Sequence, residues 1–210
     1  GRNTGKTYSA LKCMYDNHYN FGFVKRTNDD VDLLCKTDKS IGSGRINLSP
    51  WQAIERNNPN IRITTTKVMK GIGAFHQRDP EGNNPVGEAL GYVFSLNAIG
   101  DIKGFNYDAD FLIFDEFIPE SSERTMKNEG ETFLNLYETV NRNRELKGMP
   151  PVFVLLMANS NQIASSILLQ LQLVRPIAKM IKANQSYWYD KERSVSVIYP
   201  IDSPISQKKA

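Results

Sequence analysis

Two runs, Phe111–Phe114 and Val152–Met157, are apolar at every position, the pattern of strands covered on both faces in a parallel sheet. Phe21-Gly22-Phe23-Val24 and Gly91–Leu96 give two further strands, and Ile61–Thr66 reads as an edge or hairpin strand. Helical spacing separates them. Lys6–Asn17 forms one helix, and a second runs from Asn28 to Leu34 with Asn28 as its cap and Asp29, Asp30 and Asp32 beside the positive end. From Glu131 to Leu146, Phe133, Leu136, Tyr137 and Val140 fall on one face, and Gly148, Pro150 and Pro151 stop the helix. Ile163–Leu173 is a shorter helix and Tyr187–Tyr199 a hairpin. The segments 40–60, 76–87 and 119–129 are polar and rich in Gly, Pro or charge, and read as loops; 206–210 reads as a frayed tail. Strands alternating with helices predict an α/β domain, a mainly parallel sheet flanked by helices.

The chain of 210 residues fits one domain of ordinary size. It has 26 basic and 23 acidic side chains, a net charge of +3, which is compatible with a nucleic-acid partner without requiring one. Cys13 and Cys35 are too few for a disulfide framework or a zinc site, and Cys13 is expected to be a small buried residue of the first helix. His18 and His76 stand apart from any metal-ligand spacing. No stretch is long and apolar enough to span a bilayer, and no signal-peptide pattern is present.

The chemistry begins at the first residue. Gly1-Arg2-Asn3-Thr4-Gly5-Lys6-Thr7 is a complete G-x-x-x-x-G-K-[ST] phosphate-binding loop. Its glycines let backbone N–H groups converge on phosphate oxygens, Lys6 brings a point charge to the β- and γ-phosphates of ATP, and the Thr7 hydroxyl can ligate Mg²⁺. The helix that follows turns its positive end to the same place. A Gly-rich turn before a surface helix would give the same string. Such a loop is normally fed by a central strand, and the lack of residues before Gly1 predicts a fragment with a slot in its core.

More than a hundred residues on, Phe111–Phe114 ends in Asp115 and Glu116. A carboxylate at a strand's C-terminal end can hold the Mg²⁺ shell, and an adjacent Glu116 can orient and deprotonate an attacking water. A strand ending in a charged turn would look alike, but together with the loop the pair points to an ATPase. Arg142 lies near the end of the next helix, where it either offsets charge on a neighbouring subunit's transferring phosphate or complements the helix dipole. Asn159 and Ser160 follow an apolar strand and either sense the γ-phosphate or form an ordinary turn.

Ile113-Phe114-Asp115-Glu116-Phe117-Ile118, Leu134–Leu136 with Thr139–Glu145, and Ala158-Asn159-Ser160 together resemble the DNA-packaging ATPases of small tailed phages, relatives of the large terminase subunit. Phe23–Thr27 is similar to the strand and basic pair that follow the phosphate-loop helix in terminases. The resemblance covers residue 1 to about 176 and is weak over 40–87. It implies a P-loop NTPase of the additional-strand catalytic-glutamate type, a homo-oligomeric ring at the portal of an empty procapsid in the host cytoplasm, and ATP hydrolysis that drives double-stranded DNA inward. It assigns Lys6 and Thr7 to the nucleotide loop, Asp115 and Glu116 to metal and water, Arg142 (with Arg144 as the alternative) to a trans-acting finger, Asn159 and Ser160 to the coupling motif, and Lys25 and Arg26 to a basic pair near the nucleotide. The resemblance departs at the C-terminus, where a nuclease-like domain is expected to be lacking; DNA contact would then fall on exposed loops, with Lys67, Lys70, Arg78 and Lys103 as candidates. A helicase or AAA-type remodeller, or a non-enzymatic interaction domain, remains open.

Overall fold

A computed structural model describes residues 5–36, 49–82, 84–98, 107–119, 126–159, 163 and 165–199. The principal elements are α1 (Lys6–Asp16), β1 (Phe21–Lys25), α2 (Asn28–Lys36), α3 (Gln52–Asn57), β2 (Ile63–Met69), β3 (Ile72–Arg78), β4 (Pro85–Ser95), β5 (Phe111–Asp115), α4 (Glu129–Leu146), β6 (Phe153–Met157), α5 (Ser166–Gln170), α6 (Val174–Lys182), β7 (Tyr187–Asp190) and β8 (Val195–Ile198). Six strands form one sheet in the order β2-β3-β4-β1-β5-β6, and β7-β8 pair as a separate hairpin. β4, β1, β5 and β6 run parallel, whereas β2 and β3 are antiparallel additions at one edge.

Strand alternation sorts the apolar residues onto two covered faces. Phe21, Phe23, Ile113 and Met157 pack with Ala10, Leu11 and Met14 of α1, Val31 and Leu34 of α2, and Trp51 and Ile54 around α3. Val24, Phe94, Leu112 and Phe114 face the other way, against Phe133, Leu136 and Val140 of α4, then Ile167, Leu168 and Ile177 of α5 and α6. Each fully buried Phe or Leu contributes roughly 2 kcal/mol of transfer free energy. This two-sided cover is why β1 and β5 read as unbroken apolar runs. Gly130 in the first turn of α4 permits a close helix approach, because a Cβ there would lie 2.6 Å from the Ser166 carbonyl oxygen of α5.

Several expectations change. Thr27, not Asn28, caps α2: Asp30 Oδ2 accepts from the Thr27 N–H (2.9 Å) and hydroxyl (2.8 Å), and Thr27 Oγ1 accepts from the Asp30 N–H (3.2 Å), a reciprocal box. Residues 76–87 are no open loop, since β3 continues to Arg78 and β4 starts at Pro85. Glycines at 71, 73 and 87 mask this hairpin in the sequence, and a register shift between Phe75 and Gln77 breaks its alternation. The helix expected over 163–173 is divided, with Ser165 capping α5 through the Leu168 N–H (3.1 Å) and α6 following from Val174. β5 pairs directly with β6, which forms an edge of the described sheet with Phe153 58% exposed.

Cys13 is exposed rather than buried, because α1 turns positions 10, 11 and 14 inward and leaves 13 off that stripe. Cys35 is partly buried; burial first, then the Asp32 carboxylate, pushes its thiol up to about 11. At pH 8 a thiol reagent should therefore label Cys13 first and Cys35 more than about tenfold more slowly, followed by mass spectrometry of the folded protein. Equal rates would contradict this packing of α2.

Candidate active site

Register brings the C-terminal ends of four parallel strands level. Lys25 pairs with Ser95, Val24 with Phe114, and Asp115 with Met157, so the residues that leave β1, β5 and β6 emerge along one edge of the sheet. This is where open α/β sheets bind ligands. The N-terminus of α1 comes to the same edge. Its N-cap is Gly5, left-handed at φ 74, with no side-chain cap and no acidic residue in the first turn.

Two hydrogen bonds fasten α1 there. The Thr7 hydroxyl donates to Asp115 Oδ2 at 2.7 Å across 108 residues of chain. Lys6 Nζ donates to Asn159 Oδ1 at 2.7 Å, a charge-assisted bond across 153 residues. The other end of the same amide, Asn159 Nδ2, donates to Glu116 Oε1 at 3.3 Å. Lys6, Thr7, Asp115, Glu116 and Asn159 thus form one connected cluster of a cation, a hydroxyl, two carboxylates and an amide.

Glu116 is itself unusual in backbone conformation. Its φ of 56 is left-handed, which costs a non-glycine residue on the order of 1–2 kcal/mol. The turn swings the chain out of β5 directly after Asp115, while the Phe117 N–H donates back to the Met157 carbonyl at 3.1 Å.

The basic pair separates. Lys25 lies over the Phe23 ring, 5.3 Å from its centroid. Arg26 turns away from α1: Nε donates to Glu129 Oε1 at 2.6 Å, and Nη2 reaches the carbonyls of Glu116 at 3.2 Å and Phe117 at 3.3 Å. Glu129 is 2% exposed and no sequence pattern singled it out; it closed the charged segment 119–129 that read as a loop, whereas α4 begins with it.

The two candidate fingers also differ. Arg142 is exposed on α4, about 20 Å along the helix from Glu129 at the usual rise. That distance puts it beyond its own chain's cluster. Arg144 is buried at the opposite, N-terminal edge of the sheet, with Nη1 on Asp108 (2.8 Å) and Asp110 (3.1 Å) and Nε on the Pro150 carbonyl (2.8 Å). It is committed to holding α4 onto the start of β5, which removes it as the alternative finger. The spacing of α4 explains the difference: Val140, Asn141 and Arg144 share its inward face, and Arg142 lies outside it. Gly1, Arg2, Asn3, Thr4 and Ser160, with Lys103 among the DNA candidates, lie outside the described residues. Lys67 pairs with Asp32 at 2.8 Å on the far edge strand β2.

The architecture has a counterpart among solved structures: the bacteriophage Phi-29 viral genome packaging motor assembly superposes over 95% of this chain with a TM-score of 0.61 at 16% identity. The two chains share a fold. The chain spans half the length of the Phi-29 chain. Two structures of the Thermus phage P74-26 large terminase ATPase domain, one of them a mutant, also align, at 12% and 13% identity over 79% and 77% of this chain and 60% and 57% of theirs, with TM-scores of 0.38 and 0.36. No family model and no curated protein matches the chain. Among the described residues, no helix is long and apolar enough to cross a membrane.

Replacing Arg144 with Gln should remove the buried cation shared by Asp108 and Asp110, each about a third exposed, and leave Asp108 with only the longer Lys147 contact at 3.4 Å. The expected loss is about 2 kcal/mol, or a fall in melting midpoint of roughly 4–8 °C for a domain of this size. Arg142→Gln should leave the midpoint unchanged. Thermal unfolding of both variants checks the assignment, and equal midpoints would contradict it.

Proposed function

We propose that this chain is an ATP-hydrolysing motor domain that drives double-stranded DNA into a viral procapsid, acting as a ring of identical copies at the portal vertex in the host cytoplasm. The observation that carries the reading is the joining of the Lys6-Thr7 helix start to Asp115 and Asn159 beside Glu116, at the strand ends where a triphosphate would bind. The likeness of fold to the Phi-29 packaging motor supports the choice of substrate polymer.

The residues present fit a magnesium nucleotide. Thr7 and Asp115 offer the hard oxygen donors that Mg²⁺ takes sparingly from protein, with phosphates and waters completing its shell. Among the described residues, apart from its chain neighbour, no heavy atom lies within 4 Å of where a Gly5 Cβ would fall. The α1 N-terminus offers uncapped N–H groups to an anion. Bound Mg²⁺ would neutralise charge on the β- and γ-phosphates.

The protein's own groups then divide the work. Lys6 exchanges its Asn159 partner for phosphate oxygens, which releases one end of an amide that also touches Glu116. Glu116 accepts a proton from the attacking water at its carboxylate, and Asn159 holds that carboxylate in orientation. Asn159 therefore communicates the presence of the terminal phosphate to the base, with Ser160 beside it in sequence. Arg142, exposed and remote from its own cluster, serves the neighbouring copy's phosphates.

The test is ATP turnover with and without double-stranded DNA. The protein should hydrolyse ATP faster with DNA and separate no strands. Glu116→Gln should lose at least about a hundredfold in kcat while binding ATP within about twofold of the parent. Arg142→Ala should be silent alone yet regain turnover when mixed with Glu116→Gln, since mixed rings contain sites with both groups intact. Full activity in Glu116→Gln, or no hydrolysis at any concentration, would overturn the proposal.

A further inference from the structure

We propose that Arg26 and Glu129 form a positioning bracket that holds the Glu116 backbone in its left-handed turn, and that Arg26 does not contact nucleotide. The catalytic part of this inference rests on the reading of Glu116 as the base. Among the described contacts, one guanidinium reaches Glu129 through Nε and the carbonyls of Glu116 and Phe117 through Nη2. Its carbon lies 5.9 Å from the centroid of the Phe114 ring, and the side chain is only 12% exposed. The planar fork of arginine can span such a set, whereas a lysine ammonium is a single point charge.

The turn is gripped from two sides. Phe117 gives its N–H to the Met157 carbonyl of β6, and the carbonyls of residues 116 and 117 both take hydrogen bonds from Arg26. A non-glycine residue at positive φ persists only where its surroundings over-determine it. Here they also fix the direction in which the Glu116 side chain leaves the backbone, toward Asn159. Glu129 completes the bracket: a buried carboxylate on the first residue of α4 orients the guanidinium through Nε. The site therefore draws on a residue of β1's end and one of α4 that need touch neither water nor phosphate.

The experiment compares the parent with Arg26→Lys and Glu129→Gln by ATP kinetics and by amide hydrogen exchange resolved at single residues. In Arg26→Lys, kcat should fall by about ten- to a hundredfold, as misplacement of a reacting group does, with KM for ATP within about twofold. The Phe117 amide should exchange at least about tenfold faster, while Phe23 in β1 keeps its protection. Glu129→Gln keeps an acceptor for Nε and should show the same pattern more weakly; it is the variant to read if Arg26→Lys does not fold. A raised KM with kcat intact would place Arg26 on the nucleotide and overturn the bracket, as would unchanged Phe117 exchange. Should the parent itself hydrolyse no ATP, the motor reading fails separately, and Phe117 exchange still decides whether the bracket exists.

Discussion

The in-register parallel pairing of β5 with β1 and β6 is the constraint on which the site depends. It sets Asp115 opposite Met157 and one step beyond the Val24–Phe114 pair, so three chain segments leave the sheet at the same level. A slip of one residue would turn Leu112 and Phe114 from the α4 side to the α1 side and, by the same alternation, move Asp115 from the α1 side to the α4 side, away from Thr7. Burial on both faces forbids that slip, because each covered face is filled by large apolar side chains. The core thus specifies the position of a carboxylate that contributes nothing to core stability itself.

Two arginines, Arg144 buried and Arg26 largely so, occupy opposite ends of this frame. Arg144 ties α4 to the segment before β5 at the N-terminal edge, and Arg26 ties the start of α4 to the segment after β5 at the C-terminal edge. Both are satisfied by several oxygens, which is what makes a desolvated guanidinium tolerable; removing one partner from such a set typically costs about 3–5 kcal/mol when both are fully buried. α4 is thereby fixed at each end of one central strand. Its outer face remains available, and Arg142 lies on it.

Much of this was legible in the sequence, for identifiable reasons. The apolar run at Phe111–Phe114 announced two-sided burial, whereas the equally apolar Val152–Met157 lies at a half-exposed sheet edge; the Gly5-Lys6-Thr7 and Asp115-Glu116 strings carried their chemistry with them. Long-range geometry could not be read. That Asn159 would touch both Lys6 and Glu116 depends on where β6 pairs, and the roles of Arg26 and Glu129 depend on a turn at positive φ. The distinction between Arg142 and Arg144 was implicit in helical periodicity: two residues apart on a helix are on different faces. The β3–β4 hairpin was hidden by its glycines, since pairing in register with a neighbour overrides weak local propensity.

The most direct test of the central claim is Mg²⁺-dependent ATP binding by titration calorimetry on the parent, Thr7→Val, Asp115→Asn and the double variant. If Thr7 and Asp115 form one metal-binding unit, Mg²⁺ tightens ATP binding in the parent, each single change removes most of that gain, and the double change removes little more. Additive losses, or a parent that binds ATP equally with and without Mg²⁺, would contradict the account.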